Sequence, residues 1–164
     1  MGNETALVTG ASSGIGQEIA RELARRGYNL ILVARRQERL EELANELDNT
    51  GVACHVQPCD LADRDQLNRL MEHADVWLAE HDQDLTVLVN NAGTGVWDWF
   101  VNQDRATTQR DIDLNVTATT TLCHDFIARA RHHGKPSRIL NIASLAGLLP
   151  TPRFAVYSGT KSYV

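Results

Sequence analysis

Nothing in this sequence supplies a covalent or metal framework. Its three cysteines, Cys54, Cys59 and Cys123, are odd in number and lack metal-ligand spacing, so reduced thiols are expected rather than disulfides. The six histidines, His132-His133 included, show no ligand spacing either, and no metal site is expected. Prolines number only four, and no segment is polar enough to suggest disorder, which leaves an ordinary folded chain. There is no excess of basic residues: the net charge of −5 argues against a nucleic-acid footprint, although a local basic spot can still hold a phosphate. No apolar run approaches ~18 residues, and residues 1–9 lack the basic start, long apolar stretch and small-residue cleavage site of a secretory leader. The expectation is a cytoplasmic protein with no membrane partner.

What is present is an alternation of short apolar runs and helical patterns within 164 residues, a length suited to one domain. Ala6–Thr9 reads as a strand stopped by Gly10, and Ile15–Arg26 as a helix with Ile15, Ile19 and Leu23 on one face. Tyr28–Ala34 is a near-continuous apolar strand, and Gln37–Leu47 a helix carrying Leu40, Leu43, Ala44 and Leu47 on one side. Val52–Gln57, Leu85–Asn90 and Arg138–Ala143 read as further strands, and Arg64–Glu80 as a third helix. The long stretch Asp104–His133 is helical but Thr-rich over Thr117–Thr121, which predicts a bend or break near Asn115. Alternating strands and helices joined by right-handed crossovers give an α/β fold, a doubly wound parallel sheet of Rossmann type in the order 3-2-1-4-5. No repeat or linker divides it, so residues 1–164 are read as one dinucleotide-binding domain.

Between the first strand and first helix lies Thr9-Gly-Ala-Ser-Ser-Gly-Ile-Gly16. A chain reversal here leaves backbone N–H groups free to face a pyrophosphate. Gly10 takes the tight turn, Gly14 removes a Cβ from the phosphate path, and Gly16 lets the helix pack closely; Ser12, Ser13 and Ile15 complete the loop. Isolated, such glycines are an ordinary turn, but a strand before and a helix after favour a nucleotide loop. At the end of the second strand, where an NAD-binding pattern places an acidic residue on the ribose 2′-hydroxyl, the chain reads Val33-Ala-Arg-Arg36. Ala34 cannot make that bond, whereas Arg35, helped by Arg36, can pair with a 2′-phosphate. NADP(H) is therefore the expected cofactor, with NAD(H) as the alternative and two solvated arginines as the plain reading.

The spacing of this loop, with Asp60-Leu61 after the third strand, Asn90-Asn-Ala-Gly93 after the fourth, Asn115, Ser144 and the Tyr157–Lys161 pair, resembles the short-chain dehydrogenase/reductase family. The resemblance implies adenine contact at Asp60 and Leu61, a sheet-stabilising and cofactor-contacting segment at Asn90, Ala92 and Gly93, and a catalytic set of Asn115, Ser144, Tyr157 and Lys161. It implies reversible hydride transfer between the nicotinamide and a ketone, aldehyde or secondary alcohol. Tyr157 would be the acid/base, Lys161 the partner that also holds the nicotinamide ribose, Ser144 the donor to the substrate oxygen and Asn115 the anchor of the broken helix and of a water linked to Lys161. If Tyr157 opens a helix, Lys161 lies one turn later on the same face, and adjacent positive charge is what a phenol with an unperturbed pKa of about 10 requires near neutrality.

The same resemblance implies a longer chain with further strands and a substrate-covering loop, so a truncated sequence lacking those C-terminal strands is expected. It also implies a homo-oligomer, dimer or tetramer, joined through the helices before and after the fifth strand. The alternative is a non-catalytic dinucleotide sensor or structural protein, or an inactive fragment, of the same fold. Trp97, Trp99 and Phe100 fit either a substrate wall or core packing. Asp111 and Asp113 read as a solvated helix face with no chemical role.

Overall fold

The computed structural model describes residues 4–164 and consists of a five-stranded parallel sheet with helices on both faces. The order along the chain is β1 (Glu4–Thr9), α1 (Gly14–Arg25), β2 (Asn29–Ala34), α2 (Gln37–Leu47), β3 (Cys54–Pro58), α3 (Arg64–Glu80), β4 (Asp84–Asn90), α4 (Arg105–Ile112), α5 (Thr119–His133), β5 (Arg138–Asn141) and α6 (Ala155–Tyr163). The sheet order is β3-β2-β1-β4-β5, as the alternation predicts, and every pairing is parallel. All carboxyl ends of the strands therefore open on one edge, where ligands of such sheets bind.

Strand alternation sorts the core into two halves. Leu7, Ile31, Val33 and Leu88 face α3 and α5, where Leu67, Leu70, Met71, Leu122 and Phe126 cover them. Ala6, Val8, Leu30, Leu32, Val87 and Val89 face α1 and α2, covered by Ala20, Ala24, Leu40, Leu43 and Leu47. Both faces of the central strands are thus buried, which explains their continuous apolar runs.

The structure corrects the expected face of α1. Ile15 is exposed, Ile19 and Leu23 are half-buried and pack against the core, and the fully buried stripe is Gly16, Ala20 and Ala24. Small residues at this spacing bring the helix axis close to the sheet, which a row of isoleucines would hold away.

Strand β3 begins at Cys54 rather than Val52, because the Ala53 N–H is taken by the Asn29 side chain at 2.8 Å before the ladder starts. Strand β5 stops at Asn141 rather than Ala143; the Ile142 carbonyl accepts instead from Lys161 Nζ at 2.7 Å. The stretch near Asn115 does not break. Residues Asp113–Ala118 form a π-helical segment between α4 and α5, so the helix changes register while remaining continuous. Single π turns of this kind re-aim side chains and concentrate at functional sites.

Cys54, Cys59 and Cys123 are free thiols, and burial pushes Cys54 and Cys59 up to about 11, which keeps them protonated and unreactive at neutral pH. Among the described residues no helix is long and apolar enough to cross a membrane.

Candidate active site

At the carboxyl edge, the turn after β1 and the segment after β4 enclose a cleft of about 550 Å³. Gly10, Ser12, Ser13 and Ile15 form one wall, Ala34, Arg35 and Arg36 a second, Asp60 and Leu61 a third, and Ala92 and Gly93 the floor. Ten of the sequence-predicted cofactor residues are thereby brought together. Gly10 has φ +67°, and a Cβ there would lie 2.7 Å from Asn91 Nδ2 and 3.0 Å from Ala92 Cα. Gly14 has φ +57° with open space where its Cβ would point. A Cβ on Gly16 would meet the Gly10 carbonyl oxygen at 2.5 Å, so the helix start rests on the turn itself.

The amino end of α1 differs from those of α3 and α4. Asp63 caps α3 by accepting from Asp65 N–H at 2.9 Å and Gln66 N–H at 3.1 Å, and Asp104 caps α4 through Thr107 N–H at 2.8 Å. Ser13, at the same position of α1, makes no cap bond, and the first turn of α1 has no acidic residue. Uncapped N–H groups at the positive end of a helix dipole favour an anion. Beside them, Arg36 donates to Ser12 Oγ at 3.1 Å and Ser13 Oγ at 2.9 Å, which holds its guanidinium over the turn. The residues present therefore fit a dinucleotide with its phosphates on this turn.

Asp60 and Asn90 depart from a simple cleft-facing role. Asp60 Oδ1 accepts from Ala62 N–H at 3.1 Å, and its Oδ2 pairs with Arg110. Asn90 is outside the cleft lining: its amide donates to Asn141 Oδ1 at 2.8 Å and Cys123 Sγ at 3.2 Å, tying β4 to β5 and α5. The neighbour Asn91 lines the cleft instead, donating from Nδ2 to the Thr9 carbonyl at 3.0 Å. Thr9 Oγ1 completes this junction by accepting from Asn91 N–H at 2.9 Å and Ala92 N–H at 3.0 Å.

Helix α6 places Tyr157 and Lys161 one turn apart, with Lys161 Nζ 5.8 Å from the centre of the Tyr157 ring. Lys161 is only 7% exposed, and desolvation lowers its pKa, which weakens its hold on a proton. The floor reaches it directly: a Cβ on Gly93 would lie 3.2 Å from both Lys161 Nζ and Asn115 Oδ1. Asn115, 1% exposed in the π segment, accepts from Thr94 N–H at 3.1 Å and donates to Thr94 O at 2.8 Å and Thr160 Oγ1 at 2.9 Å. Its side chain thus clamps the post-β4 segment to α6.

Ser144 is not hydrogen-bonded to Tyr157; its hydroxyl accepts from Ala146 N–H at 3.2 Å at the start of a short helical turn that packs on α6. There Ser162 Oγ donates to the Gly147 carbonyl at 2.6 Å.

Asp111, read from sequence as solvated, is 3% exposed, and desolvation raises its pKa despite a hydrogen bond from Val96 N–H. Asp111 and Asn115, four residues apart, together hold the 94–96 backbone. Arg110 and Asn91 also line the cleft and Thr9 braces it; the sequence pattern assigns none of the three a role, although Thr9 opens the glycine motif and Asn91 belongs to the Asn90–Gly93 segment.

A family model described as short chain dehydrogenase matches residues 4–164. The chain is 34% identical to a very-long-chain 3-oxoacyl-CoA reductase of Candida albicans over 97% of this chain and 47% of that protein. It spans about half the length of the curated relatives it matches. The crystal structure of the bulky-bulky ketone specific alcohol dehydrogenase from Comamonas testosteroni is 40% identical, with TM-score 0.86 over 98% of this chain and 62% of that one. A short-chain dehydrogenase from Sphingobium yanoikuyae, solved in complex with NADPH, is 38% identical, with TM-score 0.86 over 98% of this chain and 61% of that one.

Proposed function

The chain belongs to the short-chain dehydrogenase family, and from that premise we propose that it serves an oxidoreductase that interconverts a ketone or aldehyde and an alcohol with NADP(H). The observation that carries this reading is the junction at Gly93, which is part of the dinucleotide cleft and also abuts the lysine beside Tyr157. One continuous surface thus runs from a phosphate-binding turn to an acid/base pair.

When bound, the nicotinamide supplies and accepts hydride. The turn over Gly10–Gly16 binds the pyrophosphate with backbone N–H groups, and Asp60 and Leu61 border the adenine end. Arg35 and Arg36 hold a 2′-phosphate, Arg36 being already fixed on Ser12 and Ser13. The NADPH bound by the Sphingobium relative is consistent with this preference.

Tyr157 donates its hydroxyl proton to the substrate oxygen during reduction and takes it back in oxidation. Lys161, held by the Ile142 carbonyl, keeps positive charge beside the phenol and contacts the cofactor ribose. Ser144 donates to the substrate oxygen once its hydroxyl turns outward, and Asn115 keeps the 94–96 segment and α6 in register.

The test follows NADPH absorbance across a carbonyl panel with wild type and Tyr157→Phe. Turnover by wild type that collapses in the variant, with NADPH affinity retained, supports the reading. Equal turnover by both removes Tyr157 from the mechanism.

A further inference from the structure

Beside Tyr157 lies an aromatic cluster that neither the core nor the cofactor cleft uses. Trp97, Trp99 and Phe100 are 60%, 55% and 66% exposed, so core packing does not explain them. The backbone beneath them is fastened. Asp98 N–H donates to the Arg153 carbonyl at 3.0 Å, Gln103 Nε2 to the Asp98 carbonyl at 2.9 Å, and Asn102 Nδ2 to Asp98 Oδ1 at 3.2 Å. Arg153 adopts φ +64°, a left-handed conformation that costs a non-glycine residue energy, and its guanidinium covers the Trp99 ring at 4.8 Å.

The remaining rings are ordered toward the reacting group. Phe154 stacks on Tyr157 with centres 4.2 Å apart and planes at 21°, and Trp97 meets Phe154 at 5.3 Å and 57°. Gly95 also packs closely on Tyr157: a Cβ there would lie 2.7 Å from Tyr157 Cβ and Cγ. Two rings meeting at an angle form a corner in which a third ring can stack on one and present its edge to the other. A saturated group gains area in that corner but lacks the quadrupole interaction.

Resting on the oxidoreductase reading above, we propose that Trp97 and Phe154 form an aryl-recognition subsite, so that the preferred substrate carries an aromatic ring next to its carbonyl carbon. The rings are held before substrate arrives, so little ordering cost opposes binding.

The test pairs acetophenone with cyclohexyl methyl ketone, using NADPH, in wild type, Trp97→Leu and Trp97→Phe. The expected wild-type preference for the aryl ketone in kcat/KM is about threefold to tenfold. It falls toward one in Trp97→Leu and survives in Trp97→Phe, where a ring remains. A ratio unchanged by Trp97→Leu overturns the subsite.

Calorimetry with 1-phenylethanol and 1-cyclohexylethanol in the presence of NADP⁺ separates this proposal from the catalytic one. Tighter binding of the phenyl alcohol, lost in Trp97→Leu, supports the subsite even if neither ketone is reduced, in which case only the oxidoreductase reading fails. Equal binding of the two alcohols by wild type, or binding of neither, overturns the subsite whatever the turnover.

Discussion

The glycine turn after β1 and the helix α6 meet through Ala92 and Gly93, yet they are built from opposite materials. The turn is made of backbone: β1 and β2 beneath it are buried at every position after their first residue, and Gly10 and Gly16 have no room for a Cβ. Helix α6 lies at the open side of the sheet, next to a β5 whose residues are exposed or half-buried, and it buries only Thr160 and Lys161. Its contribution is two side chains, and four side-chain hydrogen bonds tie it to other segments: Asn115 to Thr160, Lys161 to the Ile142 carbonyl, Ser162 to the Gly147 carbonyl, and Thr120 with Tyr163. A site made of backbone is sensitive to added atoms, whereas a site made of side chains is sensitive to removed ones.

The largest effect expected from this contrast is at the side-chain end. Tyr157→Phe should lower kcat by about 10²–10⁴-fold, the range for a general acid/base, while NADPH affinity by calorimetry stays within a factor of two or so. A comparable loss of NADPH affinity would break the division between the two ends.

Next come the charges at the turn. Arg36→Ala should weaken NADPH binding by about tenfold to a hundredfold, the range for a charge-assisted hydrogen bond, and leave NADH binding nearly unchanged. Equal losses for both cofactors would assign Arg36 to the loop structure alone.

The same substitution in the two regions sharpens the contrast further. Gly16→Ala forces a Cβ against the Gly10 carbonyl and should destabilise by about 1–3 kcal/mol, with a matching loss of dinucleotide affinity. Gly159→Ala, between Tyr157 and Lys161 with nothing within 4 Å of its Cβ position, should stabilise by about 0.5–1 kcal/mol through helix propensity. Thermal denaturation of both variants checks the opposite signs.

The smallest effect concerns Asp111, at the joint between the regions. Burial raises its pKa, so the folded chain keeps the proton at a pH where the unfolded chain has released it. Stability therefore declines as pH rises from about 4 through the folded-state pKa and stays lower above it. Asp111→Asn, which still offers an oxygen to Val96 N–H, should remove that decline and raise Tm at pH 7. A pH–Tm curve parallel to wild type would show that Asp111 ionisation carries no penalty.

Residues on the turn were legible in the sequence because their role is steric and local. Gly10, Gly14 and Gly16 announce themselves between an apolar strand and a helix, and the sheet order follows from the alternation of elements. The helices Gln37–Leu47 and Arg64–Glu80 end where their periodicity ends. Other features had no local signal. Ile15, Ile19 and Leu23 read as one core stripe, yet only Ile19 and Leu23 pack against the core, Ile15 is exposed, and Gly16, Ala20 and Ala24 are the fully buried face, because only contact with the sheet decides which side of α1 must be small. Asp111 looks solvated until the 94–96 backbone covers it.

The chain alone indicated the doubly wound sheet, through its alternation of strands and helices, and the glycine turn and the one-turn spacing of Tyr157 and Lys161, which depend on residues close along the backbone. Tertiary structure alone decided that Gly93 touches both Lys161 and Asn115, that Asn91 rather than Asn90 faces the cleft, and that Trp97 and Phe154 form a corner beside the phenol. These contacts join segments many residues apart, and their geometry is set by how the sheet brings β1, β4 and β5 to a common edge.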